Sequence, residues 1–107
     1  MNKNFKKSIL KDPLYIAKKL IKFPSETPKD EGVLFFLEDL LKELGFKCYR
    51  MPSGKKNQKG KDALVNNLYA TKGKGKNLCF AGHVDVVPAG NISAWKFPPY
   101  KSMVHNG

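Results

Sequence analysis

His83 and Asp85 stand two residues apart at the end of an apolar run, Leu78-Cys79-Phe80-Ala81-Gly82, and that pairing is half of a metal site. On a strand, side chains alternate, so Ala81, His83 and Asp85 would emerge on one face. A neutral imidazole is a zinc donor, and a carboxylate beside it fixes the tautomer and raises the basicity of the ring. Alone, a His-x-Asp at a strand end is a modest signal, because a lone histidine on an apolar strand is more often a satisfied core residue. Its surroundings strengthen it: Gly82 permits close backbone approach, and the exit Val86-Val87-Pro88-Ala89-Gly90 cannot stay in a central ladder past the proline.

The remaining residues with chemical potential have plainer readings. His105 falls in a strand-to-turn stretch and reads as an exposed surface histidine. Ser25 and Thr27 sit where helix capping accounts for them, with no histidine or acid placed to activate a nucleophile. Trp95, Phe97 and Tyr100 could stack on bases, but with Pro98-Pro99 between them they suit a rigid loop packed under the metal site. Glu38, Asp39 and Glu43 belong to the wet face of a helix, where neighbouring carboxylates serve solvation rather than acid–base work. Cys48 and Cys79 lack the spacing of a zinc knuckle or redox pair and read as reduced core residues. Gly54 and Gly60 are one residue too far apart for a phosphate-binding loop, and the Lys-Ser/Thr ending is missing.

Several elements must position the His-x-Asp pair. Asp12-Pro13 opens a helix as cap and first-turn proline, with Leu14, Ala17, Leu20 and Ile21 at helical spacing and a stop near Phe23-Pro24. A second helix is expected from Thr27-Pro28-Lys29-Asp30, the threonine as cap, with the stripe Val33, Leu34, Leu37, Leu40, Leu41 and Leu44 ending at Gly45, and Phe35 and Phe36 at its edge. Phe46 to Met51 turns strand-like, and Pro52 to Asp62 is a polar loop. Leu64 to Thr71 and Asn77 to His83 read as two strands joined by Lys72-Gly73-Lys74-Gly75-Lys76, a hairpin-type connection whose glycines supply positive φ. Helices followed by strands imply a layered α/β arrangement.

The chain has 107 residues and a formal net charge of +11. Residues 1 to 22 hold seven lysines against Asp12, and residues 55 to 76 hold seven against Asp62. A basic balance can serve nucleic acid or an anionic membrane. Here lysine dominates, Arg50 is the single arginine, and no aromatic-studded basic strand accompanies it, so a solvated lysine-rich surface is favoured. The N-terminal lysines precede no apolar stretch of signal-peptide length, since Ile9-Leu10 is cut by Lys11-Asp12-Pro13, and no window approaches a membrane span. A soluble, cytoplasmic protein is the expectation, and Asn91-Ile92-Ser93 matches a glycosylation acceptor by chance.

The Gly82-to-Gly90 segment followed by Trp95-Lys96-Phe97-Pro98-Pro99-Tyr100 resembles the metal-dependent amidohydrolases and exopeptidases of the aminoacylase and carboxypeptidase type, most closely the succinyl-diaminopimelate desuccinylases. Supporting segments are Leu20 to Pro28, Leu44-Gly45-Phe46 and Asn67-Leu68-Tyr69-Ala70. The resemblance implies the N-terminal part of a zinc-exopeptidase-like α/β/α catalytic domain with a mixed sheet, with residues 1–107 one portion of it and the lid and dimerisation domain elsewhere. It gives His83 the role of metal ligand in a two-zinc centre, with cobalt able to substitute, and Asp85 the role of orienting that imidazole rather than binding metal. It implies hydrolysis of N-succinyl-LL-2,6-diaminopimelate to succinate and LL-2,6-diaminopimelate in lysine and cell-wall precursor synthesis by a cytoplasmic homodimer, with no nucleic acid or membrane partner. The other ligands and general base would follow Gly107, starting with a Gly-Arg-Gly-Ala-x-Asp-Met-Lys segment. The 107 residues alone are therefore expected to be inactive, and poorly soluble because a sheet edge and an apolar face lie uncovered. The alternatives are a sibling deacylase or peptidase, such as acetylornithine deacetylase or a dipeptidase, and a small basic nucleic-acid-binding module.

Overall fold

Asp12 starts the first helix as its sequence predicts: in the computed structural model, which describes residues 9–54 and 64–107, its carboxylate accepts from the Tyr15 backbone N–H at 3.0 Å. Pro13 follows in the first turn, and α1 runs Pro13–Ile21 with Lys18 and Lys19 at its carbonyl end, where positive charge suits the helix dipole. Its apolar stripe is only partly covered, Leu14 remaining 55% exposed.

The second helix begins later than expected. α2 spans Val33–Glu43 and is entered through Gly32, which has φ of 90° and makes no side-chain cap. Asp30 shapes the entry, accepting from Gly32 N with its side chain and from Val33 N with its carbonyl, at 3.2 and 2.9 Å. Thr27 is not the cap because both its hydrogen-bond donors are engaged far along the chain: the hydroxyl by Asp85 and the backbone N–H by the Val86 carbonyl. At the other end the expectation holds. Leu44 closes the helix, Gly45 turns at φ of 84°, and Lys72 Nζ reaches back to the Leu44 carbonyl at 2.6 Å.

β1, Lys47–Arg50, pairs antiparallel with β2, Leu68–Thr71, placing Tyr49 opposite Tyr69 with ring centroids 6.2 Å apart. Two reciprocal bonds between Ser53 and Val65 continue the pairing toward the polar loop, most of which lies outside the described residues. α2 packs on both strands, and its Val33, Leu34 and Leu40 are the buried apolar core.

The expected strand at 77–83, and the hairpin joining it to β2, do not form. β2 pairs with β1 instead, and Gly73 and Gly75 take positive φ in a turn that leads to an extended, unpaired segment. The physical reason lies in its composition. Leu78-Cys79-Phe80-Ala81 is apolar on both faces, a pattern stable as a strand only between ladder partners and under cover on each side. Among the described residues none of its backbone groups pairs with another backbone group, and Leu78 and Phe80 are 83% and 89% exposed. Cys79 is accordingly exposed rather than core, whereas Cys48 is half-buried with its thiol pKa raised, chiefly by burial. Gly82 has open space where a Cβ would stand, so close backbone approach is not its role in this structure. The described residues thus form a small α/β unit of two helices and a two-stranded antiparallel sheet, and no helix among them is long and apolar enough to cross a membrane.

Glu38 corrects the reading of α2's wet face. It stands four residues after buried Leu34, and its carboxylate accepts from Lys42 Nζ and Arg50 Nε, each at 2.6 Å, tying helix to sheet. Arg50 also lies 3.8 Å from Asp30 and over the Phe35 ring. Lys42 first, then Arg50, holds the Glu38 carboxyl below its ordinary 4.5. A carboxyl depressed on folding adds stability that is complete above the unfolded value and lost as pH falls through the folded one. The unfolding free energy of the full-length protein should therefore exceed that of Glu38→Gln at neutral pH, and a denaturant series should show the gap closing below about pH 4.5.

Candidate functional site

Residues 84–86 are irregular in isolation and gain their shape from residues 25–27. The Ser25 hydroxyl, on a side chain only 1% exposed, donates to the Val84 carbonyl at 2.6 Å. Val86 N donates to the Ser25 carbonyl at 3.0 Å and Thr27 N to the Val86 carbonyl at 3.4 Å, a parallel bridge between Glu26 and Val86. Asp85 is held between these attachments.

His83 and Asp85 come together as the two-residue spacing predicts, though without a regular strand beneath them. His83 Nδ1 lies 3.2 Å from Asp85 Oδ1 and 3.0 Å from the Asp85 carbonyl oxygen. Both neighbours are acceptors, so Nδ1 carries the proton and Nε2 keeps its lone pair in the neutral ring. The ring is 84% exposed, and Nε2 makes no hydrogen bond to any described residue. The second carboxylate oxygen of Asp85 accepts from the Thr27 hydroxyl at 2.6 Å. That bond, ahead of the nearby imidazole, lowers the Asp85 pKa.

A cavity of about 240 Å³ opens beside the pair, with Thr27, Asp30 and His83 on its polar side and Val33, Leu37 and Leu41 of α2 on its apolar side. The aromatic loop is tied to the same 25–27 segment through Tyr100. Asn91 caps a short helical turn at Ile92–Ala94, Trp95 Nε1 donates to the Ala89 carbonyl at 2.9 Å, and the Tyr100 hydroxyl donates to Glu26 at 2.9 Å, which raises the Tyr100 pKa. His105 is exposed as expected and packs on Phe97, with centroids 5.2 Å apart.

Among the described residues no three His, Cys, Asp or Glu side chains gather closely enough to hold a metal ion. The donor chemistry fits zinc at one position only: an imidazole with Nδ1–H engaged and Nε2 open is a standard single ligand, and a catalytic zinc takes about three from the protein. Ser25, Glu26 and Thr27 are the site residues missed by local reading. Their partners lie 58 to 74 residues downstream, and the one available signal was the similarity of the Leu20-to-Pro28 segment to the amidohydrolase pattern.

No family model matches the chain. It is similar to curated proteins named succinyl-diaminopimelate desuccinylase. The protein from Rhodospirillum centenum is 45% identical over 97 residues, 90% of this chain and 24% of its own length. That from Ehrlichia ruminantium (strain Gardel) is 42% identical over 97 residues, 89% of this chain and 24% of its own. That from Orientia tsutsugamushi (strain Boryong) is 46% identical over 86 residues, 79% and 21% respectively. The chain thus spans about a quarter of the length of the relatives it matches.

Proposed function

We infer that this chain, a relative of the succinyl-diaminopimelate desuccinylases, supplies one metal-holding corner of a metal-dependent amide hydrolase. The observation that carries the reading is the His83–Asp85 pair, which leaves Nε2 open on a residue that helps to line a cavity. The reaction is hydrolysis of N-succinyl-LL-2,6-diaminopimelate: water adds across the succinyl C–N amide bond, releasing succinate and LL-2,6-diaminopimelate. Two divalent ions, zinc or cobalt, supply Lewis-acid activation of water and of the scissile carbonyl when bound. His83 holds one of them through Nε2, and Asp85 keeps Nδ1 protonated and the ring turned outward. The remaining ligands and the general base come from other parts of a protein of the relatives' length.

The exposed apolar run at 78–81 supports the same reading. In an α/β/α domain with a mixed sheet, Leu78 and Phe80 are covered by neighbouring strands and helices, and residues 1–107 are the first portion of that domain. The working protein is a cytoplasmic homodimer acting on a small acyl-amino acid, with no nucleic-acid or membrane partner.

The test is turnover by the full-length protein. It should cleave N-succinyl-LL-2,6-diaminopimelate faster than N-acetylornithine, measured as kcat/KM under identical metal loading. Faster turnover of N-acetylornithine would move the assignment to a sibling deacylase.

A further inference from the structure

We propose that Thr27 is a positioning residue for His83, its hydroxyl fixing the Asp85 carboxylate that in turn fixes the imidazole. The proposal rests on the reading of His83 as a metal ligand.

The geometry is a three-member relay. Thr27 Oγ1 donates to Asp85 Oδ2 at 2.6 Å, and Asp85 Oδ1 faces His83 Nδ1 at 3.2 Å. The two oxygens of one carboxylate are thus used on opposite sides, which sets both the rotamer and the plane of the group. Asp85 needs such a constraint, being 47% exposed and on a segment without regular secondary structure. A free carboxylate there would rotate about two torsions, and the Asp85 carbonyl, 3.0 Å from Nδ1, would remain as the ring's other acceptor. The imidazole would then lose one of the two acceptors that hold its tautomer and its direction.

Thr27 is itself held in place. Its N–H is bonded to the Val86 carbonyl, and Ser25 two residues earlier is bonded to both Val84 and Val86. These bonds already join the two segments, so the hydroxyl is not required for the attachment. What the hydroxyl adds is a contact with the carboxylate that faces the imidazole.

The contrast between Thr27→Val and Thr27→Ser isolates that hydroxyl. Valine keeps the branched shape and every backbone bond, while serine keeps the donor and drops the methyl group. In the full-length protein, zinc titration against a competing chelator should show Thr27→Val binding the His83-held ion about tenfold more weakly, the lower end of the range for partners outside the ligand set. Thr27→Ser should stay within about twofold of the parent protein on the same argument. A second readout needs no metal: histidine-selective ¹⁵N NMR of the metal-free protein, with His83 assigned from its loss in His83→Ala, should show a smaller Nδ1–H fraction in Thr27→Val and recovery in Thr27→Ser. Thr27→Ala repeats the measurement should the valine variant fold poorly. Wild-type zinc affinity and tautomer in Thr27→Val, beside loss of the ion in His83→Ala, would overturn the positioning role alone. Retention of both ions in His83→Ala would instead overturn the ligand reading beneath it.

Discussion

On the proposed function, replacing His83 with alanine in the full-length protein should release one of the two proposed ions and lower kcat/KM for N-succinyl-LL-2,6-diaminopimelate by more than about 100-fold, beyond the 10- to 100-fold typical of partners outside the ligand set. The size follows from ligand number. A catalytic zinc has about three protein ligands, so losing one removes a third of the protein's hold on the ion. Among the described residues no three potential ligands gather there. Asp85→Asn should be milder, about tenfold, because the amide oxygen can still accept from Nδ1–H while its charge is gone. His105→Ala should leave metal content and turnover unchanged, its ring lying against Phe97 on an exposed stretch. Elemental analysis and steady-state kinetics on the three variants check the ranking. Full metal content and full turnover in His83→Ala would sink the assignment.

The parts of this architecture legible in the sequence are those decided by neighbours three or four residues away. Asp12 caps α1 because its acceptor and Tyr15 N are local partners, and α2 ends where Gly45 allows a positive φ. The His83–Asp85 contact is also local, requiring only that the chain be extended. What was not legible depends on distant partners. Thr27 reads as a helix cap on local rules, yet Asp85, 58 residues away, takes its hydroxyl, and α2 starts at Val33 instead. Periodicity places Glu38 in solvent, but it also sits one turn after Leu34, where Arg50 of β1 can reach it. The run at 78–81 fails as a strand for the complementary reason. Its composition demands partners on every side, and the described residues provide none.

The core of α2 gives the largest expected stability effect. Val33, Leu34 and Leu40 recur at positions that share one helix face, and they are 1%, 5% and 4% exposed against a sheet of only two strands. With so few apolar residues fully buried, each carries a large share of what holds α2 to β1 and β2, and α2 is both the wall of the cavity and the helix that the Asp30 turn enters. Leu40→Ala removes three heavy atoms from that contact and leaves a void that the short antiparallel pair cannot fully close, a cost of about 2–5 kcal/mol. Leu14→Ala on α1 is the matched control: its side chain is already 55% exposed, alanine favours the helix, and the cost should stay below about 1 kcal/mol. Chemical denaturation of the full-length variants measures both. Equal destabilisation by the two would mean that α2 is not the anchor of this unit, and a loss under 1 kcal/mol for Leu40→Ala would mean that its burial contributes little. The predicted asymmetry also reaches the site, because loosening α2 frees the Asp30 turn that follows Thr27. Metal affinity in Leu40→Ala should accordingly fall less than in Thr27→Val, whose change acts on the carboxylate itself.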